Sequence, residues 1–140
     1  IMFGMEDLTE PQGQSEVTIS YFMLSLLQIA DQSKILHWQT DYDTEHRHFG
    51  LFYETFIEQM DTLIEAIAGK YGKHTLKFGE AAIAVGDYEL NRDSFFKQVD
   101  YIFRENFSQL FDREADSELY NLADEILDLK NKVQYLLQLR

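Results

Sequence analysis

The chain has 140 residues, of which 45% are hydrophobic and 14% aromatic, which fits one domain (1–140) with its own core. It contains no cysteine, which excludes disulfides, a thiolate nucleophile and zinc–thiolate sites. Its net charge of -13, from 12 Lys and Arg against 25 Asp and Glu, disfavours nucleic acid as a partner and favours cations.

The first two predicted helices cover about 15–39 and 43–71. The first is apolar on more than one side, as expected for a helix that touches several neighbours. Its most apolar run, 21–30, is too short to cross a bilayer and no charged signal peptide precedes it, so we expect a cytoplasmic protein without a membrane partner. The second helix keeps its apolar residues three and four apart on one face.

The second half of the chain predicts two more helices after a long connection. Residues 69–91 are rich in glycine and break the helical pattern, whereas about 92–111 and 116–139 restore it. Two short connections and one long one between four amphipathic helices indicate an all-α protein. The predicted architecture is a four-helix bundle with a long crossover between helices 2 and 3.

An acidic row lies opposite the apolar stripe of the second predicted helix. Its members are four, three and four residues apart and point within about 60° of one another: Glu54, Glu58, Asp61 and Glu65. Like charges one turn apart repel, and a solvated face is the simplest interpretation for Glu54 and Glu58. Asp61 and Glu65 lie nearer the apolar edge, where partial burial would favour a bound cation.

Two histidines at the corner between the first two helices are candidate partners of these carboxylates. His46 lies about 22 Å of helical rise from Asp61, so the two cannot share an ion within one chain. Two copies of the second helix, packed antiparallel about a twofold axis, would bring His46 of one copy to Asp61 and Glu65 of the other. His37 reaches the same place across the turn. Such a site suits Fe(II), Mn(II) or Zn(II), while ordinary hydrogen-bonded histidines are the alternative. The histidines expected to lie outside it are His48 and His74.

Several stretches resemble one protein family. "LHWQ" at the end of the first helix, His46, and "EQMDTLIEAIA" (58–68) resemble the mini-ferritins, the Dps-like, DNA-protecting branch of the ferritin-like superfamily. The resemblance is clear over residues 34–72 and continues in 116–137, and "HWQT" with "AGKYGK" (68–73) also looks like uncharacterised ferritin-like proteins of marine phages. It implies a homo-oligomer, up to a closed shell, with a ferroxidase centre shared between subunits. The iron ligands that it implies are His37, His46, Asp61 and Glu65. Glu54 and Glu58, on the same acidic row, are candidate auxiliary ligands apart from the resemblance.

Gly50 departs from the family pattern, because it stands where the family has an aspartate ligand. Glycine has no coordinating side chain, and within a helix it costs about 1 kcal/mol relative to alanine. It does permit close approach of another group to the backbone. Two functions follow as alternatives. One is Fe(II) binding, oxidation and storage at an intersubunit site, and the other is a non-catalytic oligomeric structural or interaction protein without a metal site. The acidic charge and the absence of Lys and Arg from residues 1–16 argue against DNA binding.

Overall fold

The computed structural model describes residues 18–139, and the secondary structure within that range is helical, without a strand. The predicted all-α class is therefore confirmed for this part of the chain. The predicted start of the first helix near residue 15 and the acidic residues among 1–16 lie outside the described residues. None of the described helices combines the length and the apolar character that a membrane span requires.

The helices follow one another with two short connections and one long one. Helix α1 spans Ile19–Gln39, α2 spans Asp43–Tyr71, a 3-10 turn spans Lys73–Leu76, and α3 spans Tyr88–Asn91. A continuous helical segment then comprises α4 (Phe95–Tyr101), a π-helical turn (Ile102–Asn106) and α5 (Phe107–Leu110), and α6 spans Ser117–Leu136.

The third predicted helix, 92–111, differs from the structure at its start and in its middle. Residues 92–94 form a turn, so that α4 begins only at Phe95. The π-helical turn interrupts the predicted α-helix, while the inward residues Ile102, Phe103, Asn106 and Phe107 keep a spacing that an α-helix would also show. Hydrophobic periodicity therefore cannot reveal this turn.

The fourth predicted helix, 116–139, is shorter in the structure at both ends. At its start, the backbone carbonyl of Asp116 accepts hydrogen bonds from the amides of Leu119 and Tyr120, so this residue precedes α6. At its end, Leu139 bonds to the carbonyl of Leu136, three residues back. A bond to the residue three positions back is of the 3-10 type, so the α-helix has already ended here.

Aromatic side chains tie α1 and α2 to the segment α4–α5. Phe22 of α1 lies with its ring centroid 5.8 Å from that of Phe103 and 5.4 Å from that of Phe107. On α2, the ring of Phe49 stacks on Phe96 at 6.0 Å. Burying a phenylalanine side chain contributes about 1.5–3 kcal/mol, so these rings supply much of the packing energy that joins the helices.

The connection between α2 and α3 follows α1 in the direction in which that helix runs. Side chains spread along α1 form hydrogen bonds with residues that follow one another in the connection. The pairs, in order, are Ser20 with Lys77, Gln28 with Ala84, Gln32 with Gly86, and Gln39 with Tyr88. The connection thus returns the chain from the N-terminal end of α1 to its C-terminal end.

A buried carboxylate fastens the end of α2 to the start of α6. Asp116 lies 2.8 Å from the ammonium of Lys70, accepts a hydrogen bond from the hydroxyl of Tyr71, and accepts another from the amide of Asp112 at 2.9 Å. Burial opposes ionisation of Asp116, but the hydrogen bonds from Lys70 and Tyr71 outweigh it and lower the pKa of this carboxyl below its ordinary value.

Candidate metal site at the corner between α1 and α2

The side chains of His37 and His46 stack on each other where α1 meets α2. Their ring centroids lie 4.0 Å apart and their planes differ by 17°. Nδ1 of His46 lies 2.9 Å from the carbonyl oxygen of His37, and Nδ1 of His37 bonds in return to the carbonyl oxygen of His46. A carbonyl oxygen only accepts hydrogen bonds, so each Nδ1 carries a proton, and Nε2 is the ring nitrogen left to bind a metal.

Gly50 makes room for this pair. A Cβ atom at position 50 would lie 2.9 Å from Cε1 and 3.0 Å from Nδ1 of His37, closer than real Cβ contacts. The glycine thus has a packing role that its helical position in the sequence did not reveal. Any side chain at this position must displace the His37 ring.

Glu45 holds the same corner against the start of the second half of the chain. Its carboxylate accepts hydrogen bonds from Thr40 (2.7 Å), from the hydroxyl of Tyr88 (2.6 Å) and from Arg92 (2.8 Å). Burial opposes ionisation of Glu45, but these hydrogen bonds outweigh it and lower its pKa. The carboxylate of Glu45 is therefore occupied by hydrogen bonds that join this corner to Tyr88 and Arg92. Sequence reasoning missed it, because its partners lie up to 47 residues away.

The four carboxylates of the acidic row are exposed along α2, and none of their side chains has a hydrogen-bond or ion-pair partner within residues 18–139. The partial burial expected for Asp61 and Glu65 is therefore wrong for the single chain. Because α2 is continuous from Asp43 to Tyr71, His46 and Asp61 are separated by roughly 22 Å of helical rise. The carboxylates present a solvated face, and neither Asp61 nor Glu65 reaches the histidine pair.

A single chain therefore assembles only half of the expected ligand set. Across the described part of the chain, no three His, Asp or Glu side chains lie close enough together to hold a metal ion. His37 and His46 are brought together, and the hydrogen bond of each Nδ1 to a carbonyl is the one that metal-binding histidines usually make. Because the planes of the stacked rings differ by only 17°, their in-plane Nε2 lone pairs do not converge on one point, so one ring must turn for both to bind the same ion. The carboxylates would have to come from another copy. Of the remaining histidines, His48 has a buried Nδ1 without a partner in residues 18–139 and His74 is exposed.

The surface beside the histidine pair carries exposed aromatic rings. Trp38 is 67% exposed and Tyr42 is 65% exposed. The ammonium of Lys34 lies 4.6 Å from the ring centroid of Tyr53 and 5.9 Å from that of Trp38. Trp38, the only tryptophan of the chain, is therefore not a core residue.

Residues 37–137 match the model of a family described as a family of unknown function (DUF5856). The matched range includes the histidine pair, the acidic row and every helix after α1. Neither the curated proteins nor the solved structures gave a match to the chain.

Proposed function

The chain belongs to the DUF5856 family, whose function is unknown, and we propose that it is an iron-binding subunit of a ferritin-like homo-oligomer. The observation that carries the proposal is the reciprocal hydrogen bonding of His37 and His46. It fixes both rings in the tautomer whose Nε2 can bind a metal. Two imidazoles held in this way need no change of tautomer to accept an ion, but one of the stacked rings must turn for both Nε2 atoms to reach it.

The bundle that we propose consists of α1, α2, the segment α4–α5 and α6, with residues 72–87 as a long crossover. The connection follows α1 in its own direction, which supports α2 and α4–α5 running parallel. The ion pair between Lys130 and Asp100, with Nζ 3.0 Å from Oδ1, and that between Lys70 and Asp116 support α6 running against both. One long crossover between two antiparallel pairs is the arrangement of ferritin-like bundles.

The second half of the site comes, in this proposal, from α2 of another copy. Two α2 helices packed antiparallel about a twofold axis would bring Asp61 and Glu65 of one copy to His37 and His46 of the other. The exposure of these carboxylates and of the nearby Trp38 supports such a contact, since exposed aromatic surface is enriched in interfaces. A closed shell of more than two copies would repeat this twofold contact between α2 helices.

Fe(II) is the substrate of the proposed site, and its bound form would be oxidised by dioxygen or hydrogen peroxide. The chain's own contribution is to supply two nitrogen and two carboxylate ligands, with Glu54 and Glu58 as auxiliary carboxylates along the same face. Zn(II) and Mn(II) accept the same ligand types. Folding does not require Fe(II) to neutralise the repulsion among these carboxylates, because the acidic row is exposed to water.

Anaerobic titration with Fe(II), and separately with Zn(II), tests the site. We expect stoichiometric binding that Asp61→Asn or His46→Ala reduces at least about tenfold, because each removes a ligand. Asp61→Asn should leave the unfolding free energy unchanged, since this side chain has no partner within residues 18–139. His74→Ala is the matched control, because it removes an exposed histidine outside the site. Absence of stoichiometric binding, or equal binding by all three variants, would refute the proposal.

Mixing two inactive variants tests whether the site is shared. A dimer of His46→Ala with Asp61→Asn contains one site with both changes and one intact site. After random exchange of equal amounts, about a quarter of the wild-type binding capacity should return. A site within one chain would recover nothing, and that result would assign the ligands to a single subunit.

A second function, a structural oligomer without a metal site, is favoured by a different property of the same corner. The two reciprocal hydrogen bonds and the ring stack fasten α1 to α2, and Gly50 fits against them, so the histidines have a structural use without a metal. Under this alternative, Asp61→Asn has no effect on any metal titration. His46→Ala lowers stability by about 0.5–1.5 kcal/mol, the net contribution of one hydrogen bond.

A further inference from the structure

A hollow of about 280 Å³ lies between α6 and the π-helical turn of the segment α4–α5. Three core side chains form its floor: Phe103 of the π-helical turn, and Tyr120 and Leu127 of α6. The hydroxyl of Tyr120 already donates a hydrogen bond to the carbonyl of Phe111 at 2.8 Å, so the floor offers a ligand an apolar surface. The volume is close to the lower end of small-molecule sites, about 300 Å³, which suits a single ring with a short substituent.

Two arginines stand on the rim of this hollow, and the side chain of neither makes a hydrogen bond within residues 18–139. That range contains four arginines, of which Arg47 and Arg92 hydrogen-bond to carboxylates at 2.9 Å and 2.8 Å. Arg104 and Arg113 instead approach a carboxylate only to 3.7 Å. A guanidinium is always charged and carries five N–H donors. The two arginines at the hollow are therefore the two whose donors remain open to a ligand.

Both arginines are positioned by their surroundings. The guanidinium carbon of Arg113 lies 4.4 Å from the ring centroid of Tyr120, in the floor of the hollow. Such a cation–π contact uses the charge of the guanidinium and none of its N–H groups. Arg104 belongs to the π-helical turn, and turns of this kind occur frequently at functional sites. The interruption of the predicted α-helix thus coincides with one wall of the hollow.

The charges around the rim favour a singly charged anion. Asp124 lies on the rim beside Arg113, and Asp100 lies beside Arg104. The guanidiniums attract an anion, whereas these carboxylates and the net charge of -13 repel one, and the repulsion grows with the charge of the anion. A carboxylate carries one charge and matches the N–H groups of a guanidinium. A phosphate monoester carries nearly two charges at neutral pH and is disfavoured.

We propose that this hollow binds a small apolar carboxylate. The carboxylate group bonds to Arg104 and Arg113, and the apolar body of the ligand covers the floor. Burial of the apolar body and the charge-assisted hydrogen bonds act together, so neither part of the ligand suffices alone. The hollow shares no residue with the histidine pair or with the acidic row of α2, so the proposal does not rest on the proposed metal site.

Calorimetric titration of the full chain with phenylacetate tests both parts of the recognition. We expect one ligand per chain with a Kd of about 1 mM or lower, an affinity within reach of a ligand of about ten non-hydrogen atoms. Phenylacetamide lacks the charge and acetate lacks the ring, so each should bind at least about tenfold more weakly. Phenyl phosphate should also bind more weakly, and tighter binding of it would overturn the choice of a carboxylate. Absence of saturable binding up to about 10 mM phenylacetate, or equal affinity for phenylacetamide, would overturn the proposal.

Substitutions on the rim should change the affinity for phenylacetate in opposite directions. The double variant Arg104→Gln, Arg113→Gln should bind at least about tenfold more weakly, because it removes both cations. Asp124→Asn should bind at least about threefold more tightly, because it removes a like charge that competes for Arg113. Arg47→Gln is the matched control, since the side chains of Arg47 and Arg104 are both 59% exposed and Arg47 lies outside the hollow. Wild-type affinity in the double variant, or an equal loss in Arg47→Gln, would refute the assignment of the site.

Discussion

Replacing Gly50 with alanine is predicted to destabilise the chain, although alanine is the better helix former. The substitution gains about 1 kcal/mol of helix propensity. The new Cβ would lie 2.9 Å from the His37 ring, which its stack on His46 and its bond to the His46 carbonyl hold in place. Overpacking of this kind costs about 1–3 kcal/mol. Loss of the hydrogen bond adds about 1 kcal/mol, so the net loss is about 1–3 kcal/mol.

Gly69 provides the matched control for this prediction. It lies in the same helix, and a Cβ added there would meet nothing within 4 Å. Gly69→Ala should therefore stabilise the chain by about 0.5–1 kcal/mol. The two glycine substitutions are thus predicted to have opposite signs, which no argument from helix propensity alone would give.

Denaturant unfolding at neutral pH and fixed protein concentration measures both free energies, with a shift in Tm of about 4 °C per kcal/mol as a second readout. In a His37→Ala background, Gly50→Ala should become stabilising, because the ring that it displaces is gone. This double-mutant cycle isolates the free energy of the contact between the new Cβ at position 50 and the His37 ring. A Gly50→Ala chain as stable as Gly69→Ala would show that the imidazole does not lie against Gly50.

Three further predictions concern buried polar groups. Asp116→Ala should cost about 2–3 kcal/mol in denaturant unfolding, because it strands three hydrogen-bonding groups, and a loss under 0.5 kcal/mol would contradict that account. Acid should destabilise the chain below about pH 4, because the lowered pKa values of Asp116 and Glu45 give stability that is complete above their unfolded values and lost as these carboxylates are protonated. The unfolding free energy between pH 7 and 3 should fall less in the double variant Asp116→Asn, Glu45→Gln, and an unchanged slope would contradict the assignment. Asn106→Leu should stabilise the chain by about 1–2 kcal/mol, because this side chain is fully buried and neither of its polar atoms has a partner within residues 18–139. A lower Tm for Asn106→Leu would show that the amide is needed.

The helices were predictable to the extent that a repeating pattern encodes them. Helix α2 covers the predicted residues 43–71, because its buried residues Phe49, Phe52, Phe56, Leu63 and Ile67 keep one face over its whole length. The π-helical turn was not predictable, since Ile102, Phe103, Asn106 and Phe107 have the same spacing in either kind of helix. Periodicity reports which residues face inward and is insensitive to one wider turn.

The candidate site was predictable only in part, for a different reason. Sequence reasoning brought His37 and His46 together because a short turn joins their helices. It did not foresee that each ring bonds to the other's backbone, or that Gly50 lies beneath His37. The hydrogen bonds of Glu45 with Arg92 and of Gln32 with Gly86 join residues 47 and 54 positions apart. Contacts at such separation depend on how the helices pack, which no local pattern records.

The hydrogen bonds of Gln28 with Ala84 and of Gln32 with Gly86 also determine how the connection between α2 and α3 can move. Its backbone is held by side chains of α1 rather than by a ladder of its own, so it can lift away while the helices stay folded. Amide hydrogen exchange should then show a separate opening unit at residues 84–86, with less protection than α1 and with protection lost in Gln32→Ala.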